Sequence, residues 1–327
     1  MDRRAFLAAV ASALAARVDA QPASRVYRLG LLHSGSPPPA SDPVLADWIW
    51  GPLRELGYVE GKNLSIERKY AEGNFDRVPA MARELVQSRV DVIFPVGTVA
   101  AQAAKAATTT IPIVFLSNID PVSVGLVSSL AKPGGNLTGV LIAPEGTLAS
   151  KKLGLLKEVV PRATRIALMM PPDPGVGVAD QIKEIQKAAG SLRLDLPVVR
   201  VNGNDYETAF ATIAAARPGA LFVGAHNFFL RDRAIIIALA ARHRLPAIYE
   251  WPSMVKSGGL MSYGASDAET YQQVAAYLDR ILKGTSPGDL PVWQPSKLYL
   301  VINVGAAKAI GLTIPPAVML RADELIQ

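Results

Sequence analysis

From about residue 27 to its end the chain repeats one theme: an apolar, β-branched run, a turn, then apolar residues at helical spacing. That alternation constrains the fold more than any other feature. A short apolar run between turn residues reads as a strand buried on both faces. Strands separated by helical stretches imply βαβ units and a parallel sheet. Runs at 27–33, 63–70, 90–96 and 111–116 read as strands, with helical patterns over 43–56 (ended by Gly57), 75–88 and 98–107 between them. After Gly139 the alternation restarts, with strands at 165–170, 197–201, 220–223 and 247–249 and helices near 179–189, 206–216 and 231–243. Length allows about two domains. The economical reading is α/β, with two doubly wound parallel-sheet lobes in tandem.

The joints suggest how the lobes are connected. Pro133-Gly134-Gly135-Asn136 precedes the apolar 137–142, Gly258-Gly259 precedes 260–263, and 297–303 is an isolated strand after the Pro-rich 291–295. Three separated extended segments suit a chain that passes between lobes three times, making a multi-strand hinge whose few residues absorb a closing motion. An ordinary edge strand would give the same pattern. The expected division puts 26–139 with 264–297 in the N-terminal lobe and 140–263 with 298–327 in the C-terminal lobe.

Composition then removes function classes. The absence of Cys excludes disulfides, thiol catalysis and cysteine metal sites. The three histidines, His33, His226 and His243, lack the spacing of a zinc motif. There is no GxSxG elbow, no GxxxxGK[ST] loop and no GxGxxG after the first strand, so neither a catalytic constellation nor a cofactor is expected. His33 and Ser34 are adjacent in sequence, which is not how a base and nucleophile are usually presented. The net charge of +6 comes from scattered basic residues, which argues against nucleic-acid binding.

Residues 1–20 read as a signal peptide. Met1-Asp2-Arg3-Arg4 is a charged start, and the apolar 5–16 is too short for the about 20 residues of a membrane span. Val18-Asp19-Ala20 supplies the small residues of a cleavage site. Its removal takes three Arg and two Asp and leaves +5. Arg3-Arg4 before Ala5-Phe6-Leu7 looks like a twin-arginine signal, with a general secretory signal as the alternative. No Cys follows the apolar run, so no lipid anchor is expected there and the product should be free in the periplasm.

Several segments carry a family resemblance. Gly97-Thr98-Val99-Ala100-Ala101-Gln102-Ala103-Ala104, Ile111-Pro112-Ile113-Val114-Phe115, Asp120-Pro121-Val122 and Gly125-Leu126-Val127 resemble signatures of the ABC transporter substrate-binding protein family. So do the run Ser129-Leu130-Ala131-Lys132-Pro133-Gly134-Gly135-Asn136-Leu137-Thr138-Gly139, Gly259-Leu260-Met261-Ser262-Tyr263-Gly264, and Ala309-Ile310-Gly311-Leu312-Thr313-Ile314-Pro315. The likeness spans about Tyr27 to Ile326. It implies the type I periplasmic binding fold, a small-molecule ligand, a membrane permease as partner, a monomer and no enzymatic activity; the family includes tryptophan- and tyrosine-binding uptake receptors. An exported α/β enzyme and a receptor feeding a membrane sensor are the alternatives.

In open parallel sheets, ligands sit beyond the carboxyl ends of strands. The N-lobe candidates are therefore Ser34 and Gly35 after the first strand, Gly97, Thr98 and Val99 after the third, and Asn118 and Asp120 after the fourth. Gly97 lets backbone approach a ligand, and the helix start at Thr98 suits a carboxylate, although Thr98 also reads as a plain cap. Asp120 is either a ligand contact or the cap of a helix beginning at Pro121. The C-lobe candidates are Asp173, His226, Phe228 and Trp251, with Tyr263 on a crossover. Phe228 and Trp251 suit a flat ligand or plain packing. In the family's amino-acid binders, the resemblance implies, the first C-lobe loop carries polar Asn or Ser. Here Asp173 stands among prolines, a departure that speaks against an amino-acid ligand.

Overall fold

The computed structural model describes residues 25–38, 42, 47–142, 148–171 and 176–327. Residues 1–20 and Asp173 lie outside the described residues. The first sheet is fully parallel, in the order β2-β1-β3-β4-β5, with β1 Tyr27–His33, β2 Leu64–Tyr70, β3 Val92–Val96, β4 Ile113–Ser117 and β5 Leu137–Leu141. The second runs β12-β11-β10-β9-β8-β6-β7, with β6 Ile166–Met170, β7 Val198–Arg200, β8 Ala220–Val223, β9 Ala247–Tyr249, β10 Met261–Gly264, β11 Tyr299–Asn303 and β12 Glu324–Ile326. Among the described residues its one antiparallel pair is β10–β11.

The apolar runs are continuous because both faces are covered. Every residue of β3, β4, β5, β6 and β8 is buried, as parallel sheets require. In the first lobe, α2 (Val78–Gln87) and α3 (Thr98–Ala107) cover one face. The other face takes α1 (Trp50–Glu55) and α10 (Asp267–Leu282). In the second lobe, α4 (Leu148–Val159) and α5 (Val176–Ser191) lie opposite α6 (Tyr206–Ala215), α8 (Arg233–Arg242) and α9 (Pro252–Lys256). The short α7 (Asn227–Arg231) leads into α8. Gly139 is where β5 closes on β4: a Cβ there would lie 2.4 Å from the Phe115 carbonyl oxygen.

The chain passes between the sheets three times. After β5 it enters α4 of the second lobe. After Gly264 it returns as α10, whose Val274 and Leu278 pack with Leu29 and Val92. Trp293 then exchanges backbone bonds with Gly139 and Leu141, both 2.9 Å, before the chain rejoins the second sheet as β11. Near the second passage a fully buried ion pair joins Lys152 of α4 to Glu250, which follows β9.

Proline explains two differences from the sequence expectation. Of 43–56, Asp47 and Trp50–Glu55 are helical with a turn at Trp48-Ile49 between them, 43–46 lying outside the described residues; Pro52 lacks an N–H and fits the first turn of the second piece. Likewise 75–88 opens as a single 3₁₀ turn and becomes α-helical at Val78, one residue before Pro79. The helix expected from Pro121 is absent. Residues 121–125 form consecutive turns, closed by Gly125 at φ 68°.

Candidate functional site

The strand order of the first sheet reverses between β1 and β3, and such a switch point opens a crevice beyond the strand ends. Register makes the crevice specific: His33 ends β1 level with Tyr70 of β2 and with Val96 of β3. The second sheet repeats the arrangement in β7-β6-β8-β9. Its switch point, between β6 and β8, delivers Ala225, His226 and α7 from the end of β8. The two switch points face each other across the seam between the lobes.

Polar and aromatic contacts hold that seam. Asn118 Nδ2 donates to the Ala225 carbonyl across it at 3.1 Å, and Gln181 brackets Ala225 by accepting from its N–H at 2.9 Å. Phe228 reaches into the first lobe, where its ring lies 6.4 Å from that of Phe75. Gly35 makes room for it, since a Cβ there would come within 2.9 Å of the Phe228 ring. Arg233 forms an ion pair with Asp42 of the first lobe, both side chains being largely buried.

A cavity of about 90 Å³ lies at this junction. Leu31, His33, Tyr70, Phe94 and Val96 line it from the strands, Trp48 and Trp50 from the segment entering α1, Tyr271 from α10, and Phe228 and Arg231 from α7. His33 Nδ1 accepts the Gly35 N–H at 2.8 Å, which leaves the proton on Nε2. Burial, then the nearby His226 and Arg231, push the His33 pKa down to about 4, so the ring is neutral at pH 7. Arg231 Nε and Nη2 each lie 2.5 Å from an Asp232 carboxylate oxygen, and Nη2 also donates to Asn204 Oδ1.

A wider cleft of about 890 Å³ adjoins the cavity and shares Trp48 and Tyr271 with it. Asp42, Arg233 and Asp267 line this cleft. Asp267 Oδ2 accepts the Ser253 N–H at 3.0 Å, while Oδ1 is buried without a hydrogen-bond partner. Burial pushes the Asp267 pKa up to about 6.

The residues singled out in the sequence fall into distinct groups. Ser34 and Gly35 sit at the mouth of the crevice, their carbonyls accepting from Gly73 and Glu72. Gly97 has φ 94°, which favours glycine, and its N–H donates to the Leu116 carbonyl. The Thr98 hydroxyl neither caps α3 nor stands open: it is buried and bonded to Ser117 Oγ at 3.1 Å. Ser117 in turn accepts from Ile119 N–H, so this pair shapes the loop that carries Asn118. Val99 follows Thr98 in the first turn of α3 and is half-buried. The Asp120 carboxylate caps the turns after it, accepting from Val122 and Ser123 N–H at 2.9 and 2.7 Å. His226 caps α7 through Nδ1 and packs edge-on to Phe228 at 4.5 Å. Trp251 is buried in the second lobe's core, and Tyr263 packs half-buried against that lobe's other core cluster; neither lines the cavity.

Sequence reasoning missed Trp48, Trp50, Tyr70, Tyr271 and Arg231. The Trp48-Ile49-Trp50 doublet was a visible signal, because two large rings two residues apart are costly to leave in water. Tyr271 carried none; it reaches the cavity only because α10 returns to the first lobe.

Residues 45–326 match the family model described as ABC transporter substrate binding protein. The chain belongs to that family. Proteins of the family bind small molecules, work with ABC transporter permeases and are typically periplasmic or extracellular. A tyrosine-binding protein of Clostridioides difficile is 26% identical over 260 residues, 80% of this chain and 74% of the relative. Among solved structures, a conserved domain protein from Vibrio cholerae is 29% identical with a TM-score of 0.79. An ABC domain in complex with L-Trp from Streptococcus pneumonia is 26% identical with a TM-score of 0.77. Both superpositions cover 92% of this chain and all of the other. Among the described residues no helix is long and apolar enough to cross a membrane.

Proposed function

We propose that this member of the family is an exported, monomeric receptor that closes its two lobes on a small molecule bearing a flat ring. It then delivers the molecule to a permease without turning it over. The observation that carries the reading is the ring-lined cavity where the two switch points meet. The tyrosine-binding and L-Trp-bound relatives support a ring as the ligand's bulk. Within this reading the lobes are 26–139 with 264–297 and 140–263 with 298–327. Ser34, Gly35, Gly97, Val99, Asn118 and His226 border the closing seam, with Thr98 acting through Ser117 and Asp120 as a loop cap. The leader ends at Ala20 and leaves by the twin-arginine route.

The test is a ligand screen by thermal shift followed by small-angle scattering. A true ligand raises the melting temperature by mass action and compacts the molecule. Trp48→Ala and Tyr271→Ala each weaken it by about tenfold, the scale of one lost aromatic contact. A stabilising ligand that causes no compaction and binds both variants like wild type would sink the proposal, and catalytic turnover of that ligand would sink its binding-only part.

A further inference from the structure

The polar groups of the aromatic cavity are unbalanced. His33 has given its acceptor nitrogen to the Gly35 N–H, so what remains for a ligand is the Nε2–H donor. Arg231 has committed Nε and Nη2 to Asp232 and Asn204, which leaves Nη1 as its remaining donor. No Asp or Glu lines the cavity among the described residues. Asp232 is already engaged, by Arg231 and by the Tyr206 hydroxyl at 2.6 Å. Asp42 and Asp267 line the adjoining cleft, which includes neither His33 nor Arg231. Beside the hydroxyls of Ser36, Tyr70 and Tyr271, which can donate or accept, these two donors meet no lining carboxylate and suit an anion, and an ammonium brought here would have to shed its water without a counter-charge.

Size narrows the class further. An apolar cavity of about 150 Å³ accommodates benzene; this one, about 90 Å³, is smaller, so it takes one ring at most, and only with some widening of the seam. The ring faces of Trp48, Tyr271 and Phe228 supply its walls.

On the receptor reading above, we propose that the ligand is a single-ring aromatic carboxylate without an α-ammonium group, its acid group held by Arg231 Nη1 and His33 Nε2–H. Arg231, which no sequence motif marked, is then the residue that selects an acid.

Calorimetry on the full mature protein with matched pairs tests this: 3-phenylpropionate against L-phenylalanine, and 3-(4-hydroxyphenyl)propionate against L-tyrosine. Indole-3-propionate probes ring size. The desamino acid of each pair should bind at least about tenfold more tightly than its amino acid, and more tightly than the indole acid. Arg231→Gln should weaken the acids by about ten- to a hundred-fold, the scale of a hydrogen bond to a charged group. It should weaken the neutral 3-phenylpropionamide, whose carbonyl carries no charge, by clearly less, about two- to tenfold, a split that a general structural defect would not give. If the amino acids bind as tightly as the desamino acids, or Arg231→Gln weakens acid and amide alike, the inference falls and the receptor reading stands. If no ring compound binds while an unrelated solute does, both fall.

Discussion

Two buried titratable groups near the seam should pull the stability of this protein in opposite directions over one pH range. The His33 pKa moves from 6.5 down to about 4 on folding, chiefly through burial. The unfolded chain therefore binds more protons between those values, and stability is lost as pH falls from about 6.5 toward 4. The Asp267 pKa moves from 3.8 up to about 6, again chiefly through burial. There the folded chain binds more protons, and stability is gained as pH falls from about 6 toward 4. At about 1.4 kcal/mol per pH unit of displacement, each effect amounts to about 3 kcal/mol at most, with opposite signs. Wild type should therefore show little net slope from this pair, and single variants should reveal the two terms. His33→Asn, which keeps an acceptor for the Gly35 N–H, should become more stable relative to wild type as pH drops from 6.5 to 4. Asp267→Asn should become less stable relative to wild type over the same range. Urea midpoints at half-unit pH steps would measure both differences. Parallel wild-type and variant profiles between pH 4 and 6.5 would refute the reasoning.

Two further substitutions test the packing that carries the site. Lys152→Met strands the buried Glu250 carboxylate and should cost about 3–5 kcal/mol in urea unfolding, with Glu250→Gln in the same chain recovering much of it; an unchanged midpoint would contradict the burial of the pair. Gly139→Ala drives a Cβ onto the Phe115 carbonyl and should abolish cooperative unfolding, whereas Gly154→Ala, in open space on α4, should stabilise by up to about 1 kcal/mol.

Sequence periodicity located the strands well because each buried strand is a continuous apolar run with turn residues at its ends; 98–107, 220–223 and 247–249 agree to the residue. The fold class followed directly. The site was legible only in part, for a physical reason. Loops after strands are predictable from strand order, so the strand-end loops that carry Gly35, Gly97, Asn118 and His226 could be located. The walls of the cavity, however, come from elements whose position depends on tertiary return. Tyr271 lies on a helix that packs on the first lobe's sheet only after the chain has built most of the second lobe, and Trp48 belongs to a segment that leans on the second lobe's core. Hydrogen-bond commitments are also invisible in a sequence. Thr98 looked like an open hydroxyl, but Ser117, nineteen residues away, claims it.

The return of α10 also dictates an order of assembly. One face of the first sheet is sealed by Val274, Leu278, Ile281 and Leu290, which pack on Leu29, Val92 and Val114 from the other end of the chain. A nascent chain holding all five strands of that sheet has only α1 on one side and lacks the rest of that cover until nearly all of the second lobe has been made. Such distant pairings slow folding, because the long loop must close before the contact returns any stability. The first half of this protein is thus prone to stick to its neighbours throughout synthesis. Shortening the gene after the second lobe's parallel strands should yield aggregates rather than a free-standing first lobe.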